Sequence, residues 1–365
     1  MNSNGRFRSA VIFGGAGFIG SNWANWLLEN SDAKVHVFDN LSRPGVRHNL
    51  DWLQQSAQGS GRLTITVGDV RNGKMVESVV RHATEIYHFA AQVAVTTSLV
   101  DPRYDFEVNV GGTLNILEAA RKFGRRPLVL FTSTNKVYGN IAAPTAREAA
   151  DYRLAAPQGV SEGQPLDFYS PYGCSKGAAD QYVHDYGRIY SLPTVVFRMS
   201  CIAGPRQFGT EDQGWVAHFL YSALQSRPLV IYGDGRQVRD VLCVEDLLHA
   251  FDVVRGTPAA YGQVFNVGGG PPNTVSLLEL IEKIKSLIRR KVPYITDQPR
   301  PGDQLIYVTN HQKLTAFTGW QPQFSVEQTL QLLHEWWKKN RTLFDEYVPE
   351  LPAAAPRLTV VPEAA

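Results

Sequence analysis

From Ser9 onward, short runs of β-branched and apolar residues alternate with longer stretches whose apolar positions recur at helical spacing. Ser9–Phe13, Lys34–Phe38, Leu63–Val67, Glu85–Phe89, Leu128–Thr132 and Thr194–Arg198 predict buried strands. The segments between them, such as Ser21–Asn30 and Val108–Phe123, are long enough for crossover helices. Nearly continuous apolar strands separated by helices imply a parallel sheet covered on both faces. Such sheets bind ligands at the carboxyl ends of their strands. After Met199 the pattern changes, and Gly- and Pro-containing loops (Ala203-Gly-Pro-Arg206, Gly233-Asp-Gly235, Gly268-Gly-Gly-Pro-Pro272) separate shorter elements. The expected architecture is α/β: a doubly wound parallel sheet over residues 1–198, with returns at about 237–270. A smaller α/β lobe, 199–236 and 271–345, is expected to hold the ligand to be transformed. Val275–Lys291 and Val326–Asn340 predict amphipathic helices of that lobe, and the Pro- and Ala-rich 346–365 predicts a loosely ordered tail.

Composition narrows the class without naming a chemistry. A chain of 365 residues with 44% hydrophobic and 19% charged residues suits a soluble globular protein of one large or two modest domains. A net charge of +2, with no basic run interleaved with aromatics, argues against a nucleic-acid partner. Cys174, Cys201 and Cys243 are too few and too scattered for a disulfide framework or a metal site, so no metal is expected and a cytoplasmic location is. No apolar run approaches the ~18 residues of a membrane span, and the first residues lack the apolar core of a signal segment.

The chemistry begins at Gly14-Gly-Ala-Gly-Phe-Ile-Gly20, which follows a strand and opens a helix. Gly14 allows a tight turn, Gly17 lets backbone N–H groups approach a pyrophosphate, and Gly20 lets helix and strand pack closely. Asp39 ends the next strand, where a carboxylate binds both ribose hydroxyls and repels a 2′-phosphate; this favours NAD over NADP, with Arg43 nearby as a counter-indication. Asp69-Val70 follows the third strand, placed either to meet the adenine or simply to turn the chain. Tyr172 and Lys176 stand one helical turn apart, and Phe131-Thr-Ser-Thr-Asn-Lys-Val-Tyr-Gly139 runs from a strand into a hydroxyl-rich loop. Thr134 is then expected to hold a substrate hydroxyl while Tyr172 takes its proton. A free phenol titrates near ~10, and the Lys176 ammonium and the positive nicotinamide are both expected to lower it.

These residues, in this order and with Asp234-Gly-x-Gln-x-Arg-Asp240, resemble the extended short-chain dehydrogenase/reductases, over roughly Ser9 to Asn340. That resemblance implies a Rossmann-like sheet, NAD, and a nucleotide-sugar substrate. Phe38-Asp-Asn-Leu-Ser-Arg43, Gln92-Val-Ala-Val-Thr-Thr-Ser98, Ser170-Pro-Tyr-Gly-Cys-Ser-Lys-Gly-Ala-Ala-Asp180 and Asp212-Gln-Gly-Trp215 are similar to the CDP-paratose 2-epimerase (CDP-tyvelose epimerase) subgroup. By carry-over, Phe18, Ile19, Asn40, Ser42, Ala90, Ala91, Gln92, Asn109 and Thr132 join Gly14, Gly17, Asp39, Arg43, Asp69, Val70, Tyr172 and Lys176 as cofactor contacts. Asn109 has the alternative role of a helix N-cap. Thr134, Asn135, Ser200, Cys201, Arg206, Gln207, Gln213, Arg239 and Arg300 become substrate contacts, the last two arginines on the diphosphate. A salt bridge is the other reading of each of these arginines, and a small buried hydrophobe that of Cys201.

The implied reaction is epimerisation through a ketone, at C2 of a CDP-hexose by the narrower resemblance. A 4-epimerase of a UDP- or GDP-sugar is the rival; a 4,6-dehydratase or an NAD-sensing protein without turnover ranks lower. Related dehydratases carry Asp-Glu where this chain has Asn135 and Lys136, and an amide cannot give and regain a proton as a carboxyl does. Two departures from the family are Phe13 before the glycine turn and Cys201-Ile-Ala-Gly-Pro205 where an asparagine is usual. A homodimer or homotetramer is expected, with Val108–Phe123 and Cys174–Tyr190 pairing across a two-fold axis.

Overall fold

The computed structural model of the protein describes residues 8–141 and 145–344. Its strands, in chain order, are β1 (Ser9–Phe13), β2 (Lys34–Asp39), β3 (Leu63–Val67), β4 (Glu85–His88), β5 (Leu128–Thr134), β6 (Thr194–Met199), β7 (Cys201–Ala203), β8 (Leu229–Tyr232), β9 (Val238–Cys243), β10 (Gln263–Val267), β11 (Thr274–Ser276), β12 (Tyr294–Asp297) and β13 (Ile306–Tyr307). The helices are α1 (Phe18–Asn30), α2 (Val46–Ser56), α3 (Gly73–Val80), α4 (Val95–Val100), α5 (Pro102–Phe106), α6 (Gly112–Lys122), α7 (Pro171–Tyr190), α8 (Trp215–Leu224), α9 (Val244–Arg255), α10 (Leu277–Ile288), α11 (Gln312–Thr318) and α12 (Val326–Lys339). The tail expected over 346–365 lies outside the described residues.

Seven parallel strands form the main sheet in the order β10-β6-β5-β4-β1-β2-β3. The strand order reverses between β1 and β4, which opens a crevice at their carboxyl ends. Strand side chains alternate between faces, and both faces are apolar. Ala10 and Ile12 pack with Trp23, Val37 and Phe251, whereas Val11 and Phe13 pack with Ile86, Phe131 and Val183. That double burial is why the strands read as unbroken apolar runs.

Within 237–270, β10 joins the main sheet and α9 packs beneath it, while β9 belongs to a smaller sheet of order β11-β9-β13, with β7 also on β9. A separate pair, β12 and β8, lies beside it. Helices α8, α10 and α12 bury Leu220, Ile281, Leu330 and Trp336 in this lobe's core.

Two helix expectations change in detail. Val275–Lys291 is not one helix: Thr274–Ser276 pairs antiparallel with β9, and α10 starts only at Leu277. The β-branched Thr274 and Val275 suit the strand, and Ser276 with Glu279 forms a capping box that sets the helix start. Val108–Phe123 opens with a π-helical turn, Glu107–Gly111, before α6. Such turns are rare within α-helices and frequently sit at functional sites.

Candidate active site

The crevice holds a cavity of about 490 Å³ whose wall begins at the glycine turn. Gly14 has φ +75°, and a Cβ there would lie 2.6 Å from the Ala90 backbone nitrogen. A Cβ on Gly20 would lie 2.2 Å from Gly14 O, so helix α1 can approach the turn only without one. At the end of β2, Asp39 accepts from the backbone N–H groups of Ala16 (3.0 Å) and Leu41 (2.8 Å), and burial pushes its carboxyl up. Asp69 is bound to Arg71 at 2.9 Å, which holds its carboxyl down.

Phe18, Ile19, Asn40, Ser42, Arg43 and Val70 line the same end of the cavity as Gly14, Gly17, Asp39 and Asp69. Ala90, Ala91 and Thr132 form its floor. Buried Thr96 Oγ1 and Ser133 Oγ, both on the wall, find no partner among the described residues. A turn stripped of side chains at the switch point, a carboxylate beside it and unsatisfied hydroxyls along the wall fit a bound dinucleotide.

Three expected contacts are not on the wall. Asn109 is buried in the π-turn, where its Oδ1 accepts from Gln92 N at 2.9 Å. Its Nδ2 donates to Gln92 O (3.1 Å), Asp105 Oδ1 (3.2 Å) and Ser175 Oγ (2.9 Å). Asn109 is not an N-cap but lies inside the π-turn, where it ties Gln92 to α7 one residue before Lys176. Gln92 is itself buried behind the wall, its amide spent on the backbone N–H and carbonyl of Ala94 at 3.1 and 2.9 Å. Arg206 is also off the wall: its guanidinium stacks 3.6 Å from the Trp52 ring centroid.

Helix α7 carries Tyr172 and Lys176 on one face, as an i, i+4 pair requires. Ser170 caps it by accepting from Gly173 N at 3.2 Å, with Pro171 in the first turn. Tyr172 hydrogen-bonds the Thr134 side chain, and Lys176 Nζ donates to Thr132 O at 2.7 Å. The lowering expected from Lys176 is not found. Burial pushes Tyr172 up to about 12, and the Asp105 charge adds to that; the Thr134 hydrogen bond and Arg43 act against it. Burial pushes Lys176 down to about 7. The physical reason is that both groups leave water, and removal of water disfavours the charged form of each.

The lobe side of the cavity is lined by Asn135, Ser200, Cys201, Gln207, Gln213, Arg239 and Arg300. Cys201 Sγ accepts from Trp215 Nε1 at 3.2 Å, and Ser200 Oγ donates to Asp240 O at 2.8 Å. Arg239 bonds Asp303 at 3.1 Å and Gln304 O. Arg300 bonds Glu211 at 2.8 Å and lies 3.4 Å from Asp212, with its guanidinium over the Tyr232 ring. Both arginines thus have salt bridges, inside the cavity rather than on an outer surface. Lys136, Glu211, Tyr232 and Asp303 also line the wall and were not among the expected contacts. The sequence signals for them are the place of Lys136 where related dehydratases carry Glu, and Asp303 three residues after Arg300.

The family model for GDP-mannose 4,6 dehydratase matches residues 11–333. The chain is 40% identical to a CDP-paratose 2-epimerase of Salmonella typhi over 336 residues, 89% of this chain and 98% of that one. Among solved structures it is similar to a UDP-glucuronic acid 4-epimerase of Bacillus cereus in complex with UDP-glucuronic acid and NAD. There the TM-score is 0.79 and the identity 25%, over 91% of this chain and 99% of that one. It is likewise similar to a UDP-glucose 4-epimerase of Thermus thermophilus complexed with NAD, at TM-score 0.76 and 29% identity, over 90% and 99% of the two chains.

Proposed function

This chain belongs to the GDP-mannose 4,6 dehydratase family, and on that premise we propose that it inverts C2 of a CDP-activated hexose. It is an NAD-dependent nucleotide-sugar enzyme; C2 and CDP are the finer reading, supported by the 40% identity to the Salmonella relative. The observation that carries the chemistry is the convergence of Tyr172, Thr134 and Lys176 on one cavity with the glycine turn.

NAD, when bound, supplies the acceptor that takes hydride from the sugar carbon and later gives it back. The chain's own residues do the rest. The Thr134 hydroxyl and the Tyr172 phenol, already hydrogen-bonded to each other, are placed to receive the sugar hydroxyl between them. Tyr172 takes the hydroxyl proton as the ketone forms and returns it when the alcohol is restored on the other face. Lys176, anchored on Thr132 O, is placed to offset phenolate charge. Gly14, Gly17 and Asp39 hold the dinucleotide, and Arg239 and Arg300 exchange Asp303, Glu211 and Asp212 for phosphate oxygens. Asn135 carries an amide beside Thr134, 3.3 Å from its hydroxyl. It has no acidic proton to expel water, which weighs against dehydration.

A homodimer in the cytoplasm completes the proposal. Support comes from Val100, Phe106 and Ile189, exposed at 68%, 57% and 65% on α4, α5 and α7. Three unpaired cysteines suit a reducing compartment, and among the described residues no helix is long and apolar enough to cross a membrane. The test is incubation of the NAD-loaded protein with CDP-, UDP- and GDP-hexoses, with products read by NMR. Inversion at C2 of the CDP-sugar is expected. Inversion at C4 alone selects the rival 4-epimerase.

A further inference from the structure

Lys136 is a cavity-wall cation to which no role has been given above. It is the second residue of the turn Asn135–Tyr138 that directly follows β5, and its backbone N–H donates to Thr134 Oγ1 at 3.2 Å. Its carbonyl faces the first turn of α7, where a Cβ on Gly173 would lie 3.3 Å from it. Its ammonium donates to Gly302 O at 3.2 Å, and a Cβ on Gly302 would lie 3.5 Å from Cβ of Ser170, the N-cap of α7. The side chain is therefore fastened at the end of α7 that carries Tyr172, with 17% exposure.

The charge around it is unbalanced. Lys136 and Arg239 share one carboxylate, Asp303, at 3.7 and 3.1 Å, while Arg300 has Glu211 and Asp212 to itself. Two cations and one anion leave a net positive locus in a wall largely shielded from water. Such a locus is stabilised by a further anion. In a nucleotide sugar the anions are the phosphates, and the second of them is bonded through oxygen to C1 of the sugar.

We propose that Lys136 binds the sugar-linked phosphate and thereby presents C2, rather than C4, of the sugar to Tyr172. C2 is bonded to the carbon that bears the phosphate, whereas C4 lies across the ring from it. A cation held beside Thr134 and the first turn of α7 reaches that phosphate when C2 faces Tyr172. With C4 there, the phosphate moves away by the width of the ring, and Lys136 and Arg239 are left with Asp303 alone. This inference rests on the C2 reading above for its regiochemistry, and its first readout is independent of turnover.

The test compares CDP, which has the second phosphate, with CMP, which lacks it, by calorimetry on NAD-loaded protein. Lys136→Met is expected to lower the ratio of CDP to CMP affinity at least tenfold, with CMP affinity unchanged, and to lower kcat/KM for C2 inversion at least a hundredfold. Lys136→Arg should keep the preference for CDP. If Lys136→Met does not fold, Lys136→Gln takes its place and is expected to behave alike. A CDP/CMP ratio unchanged in the folded variant overturns the phosphate contact, whatever the enzyme turns over. A lowered ratio with C2 inversion intact overturns the claim that this contact selects the carbon. Wild-type protein that inverts no carbon of a CDP-hexose refutes the proposed function instead, and the ratio still decides the phosphate contact.

Discussion

Replacement of Tyr172 by Phe removes a single oxygen from the centre of the proposed chemistry. Burial holds the phenol at about 12. At pH 8 that is four units above ambient, so ionising it costs about 5 kcal/mol and about one molecule in 10⁴ is phenolate. Loading the cavity with the oxidised, positively charged coenzyme favours the anion, and the apparent pKa of the loaded enzyme should fall below 12. The sign follows from the need for a base. Below that apparent pKa, kcat/KM should rise about tenfold per pH unit and then level off. The limb belongs to Tyr172, the group placed to take the proton. Tyr172→Phe should lower kcat/KM by about 10³, within the usual range for loss of a general base, and abolish the rising limb. NAD should still co-purify, since the ring and helix α7 remain. The assay is a pH–rate profile of NAD-loaded wild type and variant from pH 6 to 10, with coenzyme content read after denaturation. A variant within tenfold of wild type, or one that keeps the limb, refutes the assignment.

Two further outcomes test how the site is supported. Asp180 on α7 and Arg198 on β6 form a bidentate pair (2.8 and 2.9 Å) with side chains 0% and 5% exposed, and Tyr138 OH lies 3.1 Å from the same guanidinium. Asp180→Asn leaves a buried cation without its anion and should cost about 3–5 kcal/mol in urea unfolding; wild-type stability would contradict it. Gly20→Ala drives a methyl group onto Gly14 O and Gly15 Cα, which are backbone and cannot yield. At least about 2 kcal/mol should be lost, together with the co-purifying NAD, and retention of both would refute the packing role of this glycine.

Much of the fold and half of the site were legible because their causes are local. Parallel strands buried on both faces write themselves as apolar runs, and helices as a 3.6-residue repeat, so β1 to β6 fall within two residues of expectation. The glycine turn and the i, i+4 spacing of Tyr172 and Lys176 are properties of adjacent residues. Helix α10 shows the limit. Thr274 and Val275 continue its apolar repeat, yet a hydrogen-bonding partner 34 residues upstream, Asp240 paired with Thr274, makes them a strand.

The chain alone therefore determined the sheet, the tight glycine turn after β1 and the i, i+4 placement of Tyr172 and Lys176. Only the tertiary structure decided the state of that pair, since desolvation of Tyr172 and Lys176 depends on the remote segments that cover them. It also placed Asn109 behind the wall instead of on it, in a π-turn where its amide bonds Gln92 and Ser175. Lys136 and Gly302, separated by 166 positions, meet because the lobe folds back onto the carboxyl edge of the main sheet. Charges brought together by such long-range closure leave no periodicity in the sequence, because nothing in a local stretch of chain specifies what will be packed against it.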